Sequence, residues 1–145
     1  MNGQDVELFD SPSDGVSRVC FHPVNDDLLL ASSWDGSAYL HSVVSNRLKS
    51  KLTVGTPLLD ACFNTRDSVI SYGAGLDGRV HRLDMHNYRT MGFEKGHHED
   101  AVKTVNYCHD TDRVFSGSWD KTMMVWDAKT GSSTGKIDLP DKVYS

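Results

Sequence analysis

No apolar run in the 145 residues approaches the ~20 needed to cross a membrane as a helix, so no membrane association is expected. The opening stretch, MNGQDVELFDSP, lacks both a basic start and an apolar core, which argues against a secretory signal and for the nucleus or cytoplasm. Cysteine is scarce. Cys20, Cys62 and Cys108 are odd in number and form no C-x-x-C, which excludes a disulfide framework and fits a reducing compartment. Cys20 and Cys62 read as small core residues. Basic charge is not in excess: the net charge of −5 disfavours general nucleic-acid binding by counterion release. Catalytic signatures are missing too. There is no G-x-S-x-G and no H-E-x-x-H, and Gly73-Ala74-Gly75 is followed by neither a lysine nor a helix. Acidic residues are scattered at turns, so neither an enzyme nor a cofactor is expected. Of the seven histidines, His97, His98 and His109 lie closest, without the pairwise spacing and further ligands of a zinc site, so no metal is expected. Sustained helical periodicity is absent throughout.

What the chain does contain is repetition. Leu28 to Val43 reads LLLASSWDGSAYLHSV, Val69 to Asp84 reads VISYGAGLDGRVHRLD, and Arg113 to Asp127 reads RVFSGSWDKTMMVWD. Aligned, they bring Asp35, Asp77 and Asp120 into register, 42 and then 43 residues apart. Before each lies an apolar, strand-like stretch whose aromatics Phe21, Phe63 and Tyr107 also align. Asp35-Gly36 and Asp77-Gly78 are strong hairpin signals, with Asp120-Lys121 at the third position. Fourth strands are expected near Arg47–Thr53, Tyr88–Phe93 and Thr134–Asp138. A repeat of this length, with apolar residues on both strand faces, predicts propeller blades. The fold expected is all-β: about three four-stranded antiparallel blades in a ring that does not close.

The repeats resemble the tryptophan–aspartate (WD) repeat family. That resemblance implies a hydrogen-bonded set of His, Ser, Asp and Trp in a blade, and the third repeat carries all four as His98, Ser116, Asp120 and Trp126. Ala31 and His41 replace Ser and Trp in the first repeat, and Gly73 and Leu83 replace them in the second. There Asp35 and Asp77 are expected to be held by backbone bonds alone. The phrases Asp14-Gly15-Val16-Ser17, SSWD at 32–35, Gly75-Leu76-Asp77, GSWD at 117–120 and PDKVY at 140–144 resemble the mitotic spindle-checkpoint propellers. SSWD and GSWD also occur in the messenger-RNA export propellers. The likeness covers 1–145 as a partial ring: blade 1 about 14–54, blade 2 about 56–94 and blade 3 about 98–139. It makes 5–10 and 142–145 strands of blades outside this chain.

Trp34 and Trp119 immediately precede the turn Asp in two repeats, and Leu76 holds the position in the middle one. These three are the candidate peptide-binding residues, because exposed indoles are enriched at binding hot spots. Counting back from the Asp register places Arg18, Asp60 and Lys103 on the same rim. Arg18 and Lys103 are candidates for acidic or phosphorylated peptide groups. The resemblance implies a non-enzymatic scaffold at kinetochores and in the nucleus, and also in the cytoplasm. Its partners would be checkpoint kinases and phosphorylated kinetochore scaffold peptides, with nucleic acid disfavoured. The alternatives are an export adaptor at nuclear pores and a truncated product that does not bind. Unpaired blade edges are expected to favour self-association.

Overall fold

A computed structural model of the chain describes residues 10–144. The described residues form twelve strands in three separate four-stranded antiparallel sheets, each following chain order. Sheet 1 contains β1 (Val16–Phe21), β2 (Leu28–Ser33), β3 (Ser37–Ser42) and β4 (Arg47–Thr53). Sheet 2 contains β5 (Leu58–Phe63), β6 (Ile70–Gly75), β7 (Val80–Asp84) and β8 (Arg89–Gly92). Sheet 3 contains β9 (Val102–Cys108), β10 (Arg113–Ser118), β11 (Thr122–Asp127) and β12 (Ser133–Asp138). The fold is an all-β partial propeller whose ring is not closed.

The repeat dictates this meander through its turns. Between the second and third strands of each sheet, a connection of three residues in sheets 1 and 3 and four in sheet 2 closes an i to i+3 bond, Gly36 N–H to Ser33 O in the first. The residue after the Asp then adopts positive φ: 85° at Gly36, 82° at Gly78 and 68° at Lys121. This is a type I turn followed by a left-handed residue, which matches the strand twist. Glycine supplies that conformation in two sheets, and Lys121 carries the steric cost in the third.

Two cores separate the sheets. Leu28, Leu30, Ala38, Leu40 and Leu52 of sheet 1 meet Leu58, Ala61, Phe63 and Leu83 of sheet 2. On its other face sheet 2 presents Ile70, Tyr72, Ala74, Val80 and Phe93 to Val102, Val105, Val114, Met124 and Trp126 of sheet 3. Sheet 2 is therefore covered on both faces. The outer faces of its neighbours keep apolar exposure, with Val19 at 57%, Phe21 at 56% and Ile137 at 49%.

The expected strand at 5–10 falls, apart from Asp10, outside the described residues, as does Ser145. Lys142–Tyr144 form no strand. Val143 instead donates its N–H to Ser118 O at 3.0 Å and packs on Gly117, where a Cβ would come within 2.8 Å of Val143 Cγ1.

Candidate functional site

The three hairpin turns share one construction, and it carries the apolar residues to one rim. The N–H groups of Trp34, Leu76 and Trp119 donate to the carbonyls of Gly15, Pro57 and Ala101, each just ahead of the inner strand of its sheet, at 2.9–3.1 Å. The residue after each Asp in turn offers its carbonyl to the segment that leaves the sheet: Gly36 to Val54, Gly78 to His98 and Lys121 to Leu139, at 2.7–2.9 Å. Trp34 is 44% exposed and Leu76 38%. Trp119 is half-buried, and its indole N–H is enclosed with no hydrogen-bond partner among the described residues. The rim thus presents one indole, one isobutyl group and a second indole with part of its surface withdrawn.

Beneath the third turn lies a directional hydrogen-bond chain. Trp126 Nε1–H donates to Ser116 Oγ at 2.8 Å, Ser116 Oγ lies 2.8 Å from His98 Nε2, and His98 Nδ1 lies 3.1 Å from Asp120 Oδ2. A neutral imidazole satisfies every member only as the Nδ1–H tautomer: Ser116 accepts from Trp126 and donates to His98, which donates to Asp120. Burial holds the His98 pKa below its usual value against the opposing pull of Asp120, in keeping with that neutral form. Burial pushes the Asp120 carboxyl up, but the Thr122 hydroxyl, the Glu99 N–H and His98 outweigh it and leave the carboxyl below the usual range.

The first two turns hold Asp differently. Backbone bonds are present, from Ser37 N–H to Asp35 and from Arg79 N–H to Asp77. They do not act alone, which corrects the expectation. A ring four residues on, on the third strand, reaches back to each carboxylate: the Tyr39 hydroxyl to Asp35, and His81 Nε2 at 3.0 Å from Asp77 Oδ2. Ser13 adds its N–H and hydroxyl to Asp35 at 3.2 Å. The signal was available in the alignment: the position four after the Asp is Tyr39 or His81 where the Ser and Trp are missing, and Met124 where they are present.

The rim cations stand apart from that set. Arg18 Nε lies 3.7 Å from Asp60 Oδ1, an ion pair in which the arginine side chain stays exposed and the carboxylate is largely buried. Asp60 also accepts the Val105 N–H of sheet 3 at 3.0 Å, a tie between sheets that strand patterning does not reveal. Lys103 lines a small cavity of about 110 Å³ with Ser17, Arg18 and Asp60, and makes no ion pair among the described residues. Burial pushes the Cys20 thiol up to about 11 and the Cys62 thiol up as well, which suppresses thiolate chemistry. The three histidines weighed as metal ligands have separate partners: His98 in the chain above, His109 with Thr65 Oγ1 at 2.9 Å and His97 beside Glu99 at 3.6 Å. No group of three or more potential ligands gathers among the described residues. Among the described residues, no helix is long and apolar enough to cross a membrane.

The family profile described as "WD domain, G-beta repeat" matches residues 3–42 and 89–127, more than half of the chain. The chain belongs to the WD-repeat family. The profile passes over most of sheet 2, where Gly73 and Leu83 stand in the Ser and Trp positions. Among WD-repeat relatives, the chain is 36% identical to "Mitotic checkpoint protein BUB3.1" of Arabidopsis thaliana, over 96% of this chain and 41% of that one. It is 34% identical to "Mitotic checkpoint protein bub3" of Dictyostelium discoideum, over 96% and 41%. It is 32% identical to "Protein Rae1" of Drosophila melanogaster, over 97% and 42%. The chain spans about two fifths of the length of these relatives. Among solved structures, "Structure of U3-55K" superposes with a TM-score of 0.83 at 16% identity, covering 94% of this chain and 43% of that one, a likeness of fold. The chain is a WD-repeat propeller scaffold.

Proposed function

We propose that the chain is a non-enzymatic, peptide-binding scaffold of the mitotic spindle checkpoint, acting in the nucleus and at kinetochores. Trp34, Leu76 and Trp119 form the apolar contact for an extended segment of a checkpoint kinase. Lys103, with Arg18 beside it, faces acidic or phosphorylated groups of a kinetochore scaffold peptide. The observation that supports this reading is the turn construction that the three sheets share, with Trp34, Leu76 and Trp119 at equivalent positions in it. The likeness to checkpoint proteins of Arabidopsis and Dictyostelium supports the choice of pathway. Calorimetry with kinase-derived and phosphorylated scaffold peptides tests it. Trp34→Ala or Trp119→Ala is expected to weaken binding by about 2 kcal/mol or more, as at a hot spot. A change within ~0.5 kcal/mol for both would remove the rim from the reading.

A second reading, an adaptor in messenger-RNA export, is favoured by one observation. The chain is 28% identical to "mRNA export factor GLE2" of Chaetomium thermophilum over 97% of its length, as well as similar to the Drosophila protein. RNA affinity that falls with salt, without a preference for phosphopeptides, would select this reading.

A further inference from the structure

At the rim opposite the tryptophans, a cavity of about 300 Å³ opens between sheets 2 and 3. Tyr72 and Arg82 supply its floor, and Arg66, Asp67, Asp112 and Lys129 its mouth. Tyr72 and Arg82 are direct partners across β6 and β7, so both side chains leave the same face of sheet 2. Tyr72 is fully buried. Its hydroxyl accepts the Asn64 side-chain amide at 3.0 Å. The direction of that bond is fixed, because Asn64 Oδ1 already accepts the N–H groups of Arg66 and Asp67 at 2.9 and 3.1 Å. The Tyr72 hydroxyl therefore still has a proton to donate, and no acceptor for it stands among the described residues.

Arg82 is in a similar position. It is half-buried and makes no hydrogen bond or ion pair among the described residues. The nearby carboxylates are engaged elsewhere. Asp112 accepts the Tyr107 hydroxyl at 2.6 Å and lies 4.0 Å from Arg66, which also donates to the His109 and Asp110 carbonyls. Asp67 caps the Val69 N–H at 3.2 Å. Asp84, on the same strand as Arg82, caps the His86 and Asn87 N–H groups. Asp84 lies close enough to feel the Arg82 charge, but no carboxylate stands within ion-pair distance of Arg82 among the described residues. The Arg82 guanidinium keeps access to water, whereas the buried Tyr72 hydroxyl proton, with no acceptor among the described residues, is costly to maintain. One oxyanion would satisfy both.

We propose that this cavity binds a phosphate group, held by the Arg82 guanidinium and the Tyr72 hydroxyl with Lys129 at the mouth. The planar fork of arginine suits two phosphate oxygens at once. The volume leaves room for a side chain bearing the phosphate, so a free phosphate and a phosphorylated peptide residue share the required chemistry. The site does not rest on the tryptophan rim, and none of its residues belongs to that reading.

The test is a titration of the full chain with inorganic phosphate at constant ionic strength, following arginine side-chain and backbone amide resonances. Saturable shifts at Arg82 and around 64–67 and 128–129 are expected. Arg82→Gln is expected to weaken binding about tenfold or more, with Arg82→Lys intermediate because it keeps charge and loses the fork. Tyr72→Phe and Lys129→Gln are expected to weaken it a few-fold. Competition by a phosphoserine peptide, but not by its unphosphorylated form, identifies a peptide source; saturation by phosphate alone identifies the free ion. Thermal melts establish that each variant folds, and Lys129→Gln, on an exposed turn, carries the test if Arg82 variants do not. Non-saturating shifts spread over all surface arginines would overturn the proposal. So would phosphate binding unaltered in every folded variant.

Discussion

Sheets 2 and 3 begin from the same turn and answer the same question, where the turn aspartate finds its hydrogen bonds, in different ways. In sheet 2 the answer is local: His81 reaches Asp77 from four residues away on one strand. In sheet 3 it is long-range: His98, ahead of the first strand, joins Asp120 in the turn to Ser116 on β10 and through it to Trp126 on β11. The local solution leaves the positions of Ser116 and Trp126 to Gly73 and Leu83, and packing alone fills them. The long-range solution binds four elements into one network, which tightens a unit more than any pair of its members does. The two are also coupled. Gly78, in the turn of sheet 2, accepts the N–H of His98 at 2.9 Å, so the simpler sheet positions the histidine of the more elaborate one.

The comparison can be broken most severely at the buried aromatic. Trp126→Ala removes a fully buried indole and the donor to Ser116, and should cost about 3–5 kcal/mol by chemical denaturation. Leu83→Ala at the matching place in sheet 2 loses packing alone and should cost ~2–5 kcal/mol. Ser116→Ala leaves both Trp126 Nε1 and His98 Nε2 without a partner and should cost about 1–3 kcal/mol. Gly73→Ala tests the local solution from the other side. A Cβ there meets Leu58 at 3.1 Å, and a folded chain with a small loss of stability is expected, because the neighbour is a flexible side chain.

The network of sheet 3 should also respond to pH. The folded His98 pKa lies below its ordinary 6.5, so its stabilising contribution is complete above that value and is lost as pH falls from there toward the folded value. Asp120 adds a second loss at lower pH: its folded pKa is below the ordinary 3.8, so its contribution is present above that value and disappears beneath it. Melting temperature should therefore drop between pH 7 and 5, and Asp120→Asn should flatten the more acidic part of the profile. The smallest effect belongs to the turns. Lys121→Gly relieves a positive φ of 68° and should stabilise by ~0.5–1 kcal/mol. Gly78→Ala should do the reverse and more, because its Cβ would lie 2.6 Å from the His98 carbonyl oxygen. Equal and opposite effects at the two sites would show that φ alone matters and that the contact to His98 does not.

Periodicity of two, Asp-Gly turns and a repeat of about forty residues are local properties, and they were sufficient for the sheets and their strand order. The four residues of the third network were also legible, because a blade motif fixes their spacing along the chain. The partners of Asp35 and Asp77 were missed because they replace a motif instead of continuing it. Only the tertiary structure decided what happens between sheets. It turned Arg18 toward Asp60, tied Asp60 to Val105, enclosed the Trp119 indole N–H with no partner among the described residues, and left the Tyr72 proton and Arg82 facing a cavity without an acceptor in bonding reach among those residues. Those outcomes depend on which faces of neighbouring sheets meet and at what offset, and a strand's sequence specifies its own faces but not the charge or hydroxyl that the adjoining sheet brings against them.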